Sequence, residues 1–196
     1  MTFDWSTLSN PTVIIAGAVA LILIIAAIAI AVHQRRKRTE QLRSRFGPEY
    51  DVVLRNERRQ REAEAALVAR LKRHHLLKIR ELTPSERARY IAQWETVQSR
   101  FVDQPRAAVA EADELVDSLL QTRGYPVAGF DQRAADISVD HSHLVGPYRS
   151  AYEVTRRAAK NEATTEELRT AIIHYRALFD ELLQITTPAE QRRIVA

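Results

Sequence analysis

The hydrophobic pattern of the chain begins with one continuous apolar run and then changes to short amphipathic repeats. Residues 13–32 read VIIAGAVALILIIAAIAIAV and contain no charged side chain. A helix of this length would extend about 30 Å, which matches the hydrocarbon thickness of a bilayer. Because such a helix is apolar on every side, a membrane-embedded helix is favoured over a core helix of a soluble protein. The pattern therefore predicts a single transmembrane helix over residues 12–33.

Residues 48–82 predict a long spacer helix. Gly47 and Pro48 end any helix that continues from the span, because Gly favours helix termination and Pro suits a first turn. No further Gly or Pro occurs before Pro84, and residues 55–64 are almost wholly polar. Apolar residues do not keep a heptad spacing over this range, so a solvated helix is favoured over a long coiled coil. A continuous spacer would extend about 50 Å.

Residues 83–186 carry the amphipathic repeats of a helical bundle. Thr83 and Thr164 are each followed three residues later by Glu, which is the capping-box pattern of a helix start. Apolar side chains recur at three- and four-residue intervals within the helices that are predicted here. They are Tyr90, Trp94, Val97 and Phe101; Val109, Val116, Leu119 and Leu120; and Leu168, Ile172, Tyr175, Phe179 and Leu182.

Four long helices with short connections are predicted in this part of the chain. Asp103 is the predicted N-cap of the second helix, which Gly124 ends, and a short helix is predicted over Phe130–Ala135. The third long helix is predicted over about 141–160, with Asp140 as its N-cap. Such an arrangement predicts an antiparallel bundle in an all-α chain, followed by a tail over residues 187–196.

The charges that flank the apolar run are strongly asymmetric. Residues 1–11 carry one acid and no Lys or Arg, whereas residues 33–45 carry six basic side chains. Basic residues are retained on the cytoplasmic side of a span, so we expect an extracytoplasmic tail over 1–11 and a cytoplasmic C-terminal domain. A cleaved secretion signal has the opposite charge order and a shorter apolar core. The sequence thus predicts a single-pass protein of the inner (cytoplasmic) membrane.

Two parts of the membrane region are candidate contact surfaces. Within the span, small residues at 16, 20, 27 and 31 share one face, which makes self-association through a second span a hypothesis. The basic collar over residues 34–47 suits anionic lipid headgroups, although setting the topology would explain it equally well. The residues concerned are Ala16, Ala20, Ala27 and Ala31 on the span, and Arg35, Arg36, Lys37 and Arg38 in the collar.

The composition narrows the chemistry that the chain can perform. The 196 residues include no Cys, which excludes disulfides, thiolate zinc sites and thiol catalysis. The formal net charge is +4, but the excess lies beside the predicted span, because residues 81–196 hold more acids than bases. Nucleic acid is therefore not the favoured partner. No GxSxG motif or glycine-rich phosphate loop is present, and we predict no cofactor and no catalytic residue.

The segment Asp136–His143 is the nearest approach to a metal-ligand cluster. Asp136, Asp140, His141 and His143 are ligand types that a divalent transition metal accepts. His141 and His143 are two positions apart, however, so on a helix they would point in nearly opposite directions. We therefore predict no metal site and treat these four residues as a candidate partner-binding segment, since irregular segments on rigid scaffolds often carry binding.

Four runs of the sequence resemble a family of uncharacterised bacterial membrane proteins with one N-terminal span and a helical domain. They are RFGPEYD at 45–51, RFVDQPRAAVAEADELV at 100–116, QRAADISVDH at 132–141 and TEELRTAIIHYRALFDELL at 165–183. Members of this family tend to have Pro after the SVDH run, where this chain has Ser142. The resemblance implies the same architecture and brings no known activity, cofactor or catalytic residue.

Two functional hypotheses from different classes follow. The first is a membrane-anchored helical adaptor or scaffold that binds another protein through its cytoplasmic bundle. The alternative is a membrane-bound enzyme or metal sensor that uses the segment Asp136–His143. We favour the first, because the residues that could carry chemistry are also explained by helix starts and solvated helix faces.

Overall fold

The computed structural model describes residues 11–57 and 59–184, and every regular element in these ranges is a helix. The predicted tail over 187–196 lies outside the described residues, as do residues 1–10 of the predicted N-terminal tail. The chain divides into two compact units, residues 1–44 and 45–196, and each is described by itself. The helices are α1 Pro11–Phe46, α2 Pro48–Asn56, α3 Gln60–His74, α4 Pro84–Phe101, α5 Pro105–Thr122, α6 Phe130–Ile137, α7 Ser142–Ala159 and α8 Thr165–Gln184.

The first unit is formed by α1, which is long and apolar enough to cross a membrane. The candidate span within its described side chains is Ala18–Phe46, with a mean hydropathy of 2.1 and none of that apolar window buried. Its large aliphatic side chains are exposed, and Ile22 and Leu23 are each 64% exposed. The helix continues through the basic collar and ends at Phe46. Gly47, with a φ of 48°, separates it from α2, as the sequence predicts.

The predicted spacer helix over 48–82 is not one helix, and the prediction of an arm of about 50 Å is wrong. The chain turns between Asn56 and Gln60, and α2 packs against α3. The two helices are antiparallel, because Glu49 near the start of α2 meets Arg70 near the end of α3 at 2.8 Å. We call residues 48–74 the α2–α3 hairpin. No Gly or Pro lies between the two helices, so the sequence offers no helix breaker that would predict this division.

The second unit also contains the predicted bundle, formed by α4, α5, α7 and α8. Helices that follow one another are antiparallel, since Tyr90 of α4 hydrogen-bonds to the carbonyl of Ser118 at 3.0 Å, far along α5. Helices α5 and α8 run side by side in the same direction, because Arg123, just after α5, donates to the carbonyl of Leu182 at 2.7 Å. The predicted apolar stripes face the common core, where Trp94 and Phe179 stack with ring centroids 4.7 Å apart.

The structure confirms some of the predicted helix caps and contradicts others. Both capping boxes form: the Thr83 hydroxyl accepts from the Glu86 amide at 3.2 Å, and Thr164 and Glu167 repeat the arrangement. The predicted cap at Asp103 is wrong, because Gln104 is the N-cap of α5 and its side chain makes no capping bond. The predicted cap at Asp140 is also wrong, since His141 is the N-cap of α7 and the Asp140 carboxylate is bound elsewhere.

We expect Thr83→Ala to lower the free energy of unfolding by about 1 kcal/mol, because it leaves the Glu86 amide without its acceptor. Urea unfolding of the full chain in nonionic detergent, followed by circular dichroism, measures this change. Thr96→Ala is the matched control, since Thr96 lies on the exposed face of α4 and its hydroxyl donates only to the Ala92 carbonyl of the same helix. Equal losses in the two variants would contradict a special role of the capping box.

Candidate functional site

The predicted partner-binding segment lies at the junction of α6 and α7, and much of it is buried. Helix α6 ends at Ile137, residues 138–140 form a turn, and α7 begins at Ser142. The side chains of Asp136, Ser138 and His141 are at most 4% exposed. A buried carboxylate must be compensated by hydrogen bonds or opposite charges. We call residues 136–143 the α6–α7 junction.

Asp136 is compensated by two donors from different elements. The same carboxylate oxygen, Oδ1, accepts from Arg73 Nε of α3 at 2.9 Å and from Gln132 Nε2 of α6 at 3.0 Å. The second oxygen, Oδ2, is buried and has no hydrogen-bond partner in the described structure. Asp136 therefore joins α6 to the α2–α3 hairpin, and its carboxylate faces the interior of the domain.

Glu49 is the centre of a second group of charges, which the sequence did not indicate. Its side chain is 2% exposed and receives both terminal nitrogens of Arg149 at 3.0 Å, together with Arg70 at 2.8 Å. Arg70 also donates to the Ser138 hydroxyl at 3.3 Å. One buried carboxylate thus holds two guanidinium groups, one from α3 and one from α7. No local motif marks Glu49, because its partners are far away in the sequence.

Asp140 pairs with residues that precede the bundle. Its Oδ2 atom lies 2.8 Å from His74 Nε2, and its Oδ1 atom lies 4.0 Å from Arg45. Although burial acts to raise the pKa of Asp140, the hydrogen bond from His74 and the neighbouring positive charges outweigh it and hold that pKa below its ordinary value. Asp140 therefore stays ionised, and it anchors the C-terminal end of α3.

The two histidines of the junction lie in different environments. His141 is buried, with Nδ1 3.3 Å from a carboxylate oxygen of Glu181, whereas His143 is exposed. Burial lowers the pKa of His141 even though Glu181 acts to raise it. Within residues 11–57 and 59–184 there is no group of three His, Asp or Glu residues that could hold a metal ion. The two acids of the junction have different partners: Asp136 pairs with Arg73, and Asp140 pairs with His74.

A half-buried pair of acids lies between α5 and its neighbours. Asp113 and Asp117 are one helical turn apart, and Asp117 pairs with Arg133 of α6 and accepts a long hydrogen bond of 3.5 Å from the Tyr148 hydroxyl. Burial raises the pKa of Asp117 to about 6, although Arg133 acts to lower it, and burial also raises the pKa of Asp113. The spacing of these acids is visible in the sequence, but their burial is not.

The raised pKa of Asp117 predicts that the free energy of unfolding depends on pH. Because the folded state binds this proton more tightly than the unfolded chain, the contribution of Asp117 to stability falls as the pH rises from about 4 to about 6. After allowance for partial exposure, we expect Asp117→Asn to gain about 1–2 kcal/mol relative to the wild type between pH 4 and pH 7. Urea unfolding of both proteins across this range measures the difference.

Asp131→Asn is the control for this pH dependence, since Asp131 is an exposed acid at the start of α6. Its stability relative to the wild type is expected to change much less over the same pH range. A relative stability of Asp117→Asn that stays constant or declines as the pH rises would contradict the prediction.

The candidate membrane contacts lie along α1. The side chains of Arg35, Arg36, Lys37 and Arg38 are all exposed, so they are accessible to lipid headgroups. Ala20, Ala27 and Ala31 are exposed as well, while the side chain of Ala16 lies outside the described residues.

Comparison with known protein families, with curated proteins and with solved structures gives no match. The function is therefore inferred from the residues of this chain.

Proposed function

We propose that this chain is a single-pass, membrane-anchored helical adaptor or scaffold whose C-terminal domain binds another protein at the cytoplasmic face of the inner membrane. The observation that carries the proposal is α1, whose apolar side chains are exposed and are followed in the same helix by four consecutive basic residues. Exposed aliphatic side chains in this number are unfavourable in water and favourable in a bilayer. The basic residues that follow them favour an N-out, C-in orientation.

Binding is favoured over catalysis because Asp136 and Asp140, which the sequence singles out, and Glu49, which it does not, serve to join helices. Asp136 and Glu49 bind guanidinium groups of another element, and the Asp140 carboxylate lies 2.8 Å from His74 Nε2. Among the described residues of the domain, the most exposed large aliphatic side chains are instead Leu76, Val102 and Val127, each 80–82% exposed and each in a connecting segment. Apolar side chains in such positions are suitable anchors for a protein partner.

Membrane anchoring and orientation are tested with the full-length chain. We expect the protein to stay in the membrane fraction after alkaline carbonate washing, and a C-terminal green fluorescent protein fusion to be fluorescent while an alkaline phosphatase fusion is inactive. Replacing Arg35, Arg36, Lys37 and Arg38 together with Gln is expected to weaken this orientation. Recovery of the wild-type chain in the aqueous fraction, or an active phosphatase fusion, would contradict the proposal.

Partner binding is tested by site-specific photocrosslinking in cells. A photoreactive amino acid at Val102, Val127 or Leu76 is expected to give a discrete adduct with another protein. The same amino acid at Leu120, which is 1% exposed in the bundle core, is the matched control and should give none. Absence of adducts from all three exposed positions, or an adduct from Leu120 as well, would contradict the proposal.

The collar and the alanine face extend the proposal to lipid and to a second copy of the chain. Each basic residue near an anionic surface contributes about 1 kcal/mol, so retention of phosphatidylglycerol over phosphatidylcholine in mixed micelles should depend on Arg35–Arg38. Self-association through α1 predicts that Ala20→Leu and Ala27→Leu together reduce the yield of crosslinked dimer.

Membership of the single-span bacterial family that the sequence resembles remains a prediction.

A further inference from the structure

The buried apolar side chains of the α2–α3 hairpin and of Phe46, just before it, lie outside the core cluster of the bundle. The main core is formed by side chains of α4, α5, α7 and α8, together with contributions from the connecting segments. Within the described residues, the buried apolar side chains of the hairpin region do not belong to that core. They are Phe46, Tyr50, Val53, Ala63 and Leu67. The hairpin is therefore not part of the continuous apolar core that stabilises the bundle.

Polar contacts attach the hairpin to the bundle, and the His74 ring also lies near the Tyr125 ring at a centroid distance of 6.3 Å. Four polar contacts connect the hairpin to α6, the α6–α7 junction and α7, and we call these four the clasp. The clasp consists of Glu49 with Arg149, Arg70 with Ser138, Arg73 with Asp136, and His74 with Asp140, at distances of 2.8–3.3 Å. Two small apolar side chains of the same region, Ala135 and Val139, are buried beside the junction and also lie outside the main core.

A clasp of this kind provides less net stability than an apolar core. Charges that are buried in ion pairs lose their hydration, and this loss offsets most of the attraction between them. When the hairpin moves away, every one of these groups regains water, whereas exposing the bundle core gives no such compensation. Segments with few buried apolar contacts open more readily than the core of the same protein. The hairpin fits this description with respect to the main core, because its buried apolar side chains lie outside that core.

We propose that the α2–α3 hairpin is a releasable latch, which detaches from the bundle while the bundle stays folded and thereby uncovers the α6–α7 junction. Release exposes the carboxylate of Asp136 and the hydroxyl of Ser138, which are at most 1% exposed in the closed arrangement, and separates the carboxylate of Asp140 from His74. The latch concerns contacts within one chain, so it does not depend on the identity of a partner or on the proposed adaptor function.

The absence of Cys from the chain allows a direct test with a single introduced thiol. Ser138→Cys is a small change at a side chain that is 0% exposed and lies against Arg70. Ala112→Cys places the thiol in the main core, also at 0% exposure, and Ser150→Cys places it on an exposed site of α7. Each full-length protein is reconstituted in nanodiscs and treated with a maleimide reagent, and the rate of thiol modification is measured.

The latch predicts that Ser138→Cys is modified at least about tenfold faster than Ala112→Cys and more slowly than Ser150→Cys. Adding Arg149→Gln should raise the rate at position 138 by about tenfold or more and leave the rate at position 112 unchanged, because it removes a partner of a buried carboxylate. Arg156→Gln is the matched control on the same helix, since the Arg156–Glu153 pair is exposed, and it should change neither rate.

Hydrogen exchange on the same nanodisc samples provides a second readout that needs no variant. Amides of residues 60–74 are expected to exchange faster than those of 105–122 and 165–184, and Arg149→Gln should increase only the first group. Equal modification rates at positions 138 and 112, or equal exchange of all three segments, would show that the hairpin opens only with the whole domain. Either result overturns the proposal, as does a rate increase at both thiols when Arg149 is replaced.

Discussion

Replacing Gly124 with Ala is expected to lower the free energy of unfolding by about 2–4 kcal/mol, because the site is unfavourable for a side chain in two ways. Gly124 has a φ of 96°, a conformation that residues with a Cβ rarely adopt. An added Cβ would also overlap the backbone carbonyl oxygen of Lys78, in the connection between α3 and α4. That connection is held in place by a hydrogen bond of 2.9 Å from the Arg80 amide to the Arg123 carbonyl, so it cannot retreat easily.

Gly146→Ala is a control that is expected to change stability by less than about 1 kcal/mol. Gly146 lies inside α7, and an added Cβ there would meet no atom within 4 Å beyond its two chain neighbours and the backbone of its own helix. The higher helix propensity of Ala is offset by the approach of its Cβ to the ring of the following Pro147. Urea unfolding of the full chain in nonionic detergent measures both variants. A loss at Gly124 no larger than 1 kcal/mol would show that the tight approach to Lys78 is unimportant for stability.

Phe179→Ala is expected to cost about 3–5 kcal/mol, since it removes a large side chain from the centre of the bundle. Phe179 is 1% exposed on α8, and its ring stacks on Trp94 of α4 at a centroid distance of 4.7 Å. Truncation leaves a cavity between these helices, and the remaining side chains can fill it only in part. The fluorescence of Trp94 should also change, because the indole loses its stacking partner.

Ile173→Ala is the matched control for the loss at Phe179. Ile173 lies on the same helix, but its side chain is 58% exposed, so truncation removes little buried area. We expect a loss of about 0.5 kcal/mol or less, as for most exposed positions. Similar losses in the two variants would mean that the predicted stripe of α8 does not face the core of the bundle.

The sequence predicted those parts of the fold that depend on local pattern. The uncharged run of residues 13–32 predicts an apolar helix, and the described part of that run is helical, with exposed side chains. Capping residues at Thr83 and Thr164 predict helix starts, because each cap is formed within four residues of chain. Gly124 predicts a helix end in the same way. The stripe from Tyr90 to Val97 predicts a buried face, since helical periodicity places these side chains together.

The tertiary structure alone decided the roles of Glu49, Asp140 and the predicted spacer. Glu49 binds Arg149 across 100 residues of sequence, and Asp136 binds Arg73 across 63, so neither pair has a local signature. Asp140 has the position of a helix cap, but a charge-assisted bond to His74 occupies its carboxylate instead. No Gly or Pro lies between α2 and α3, so no helix breaker predicts that the spacer divides into two packed helices. Local pattern therefore determined where most helices form, while long-range contacts, apolar in the bundle core and charged around Glu49 and Asp136, determined which of their faces meet.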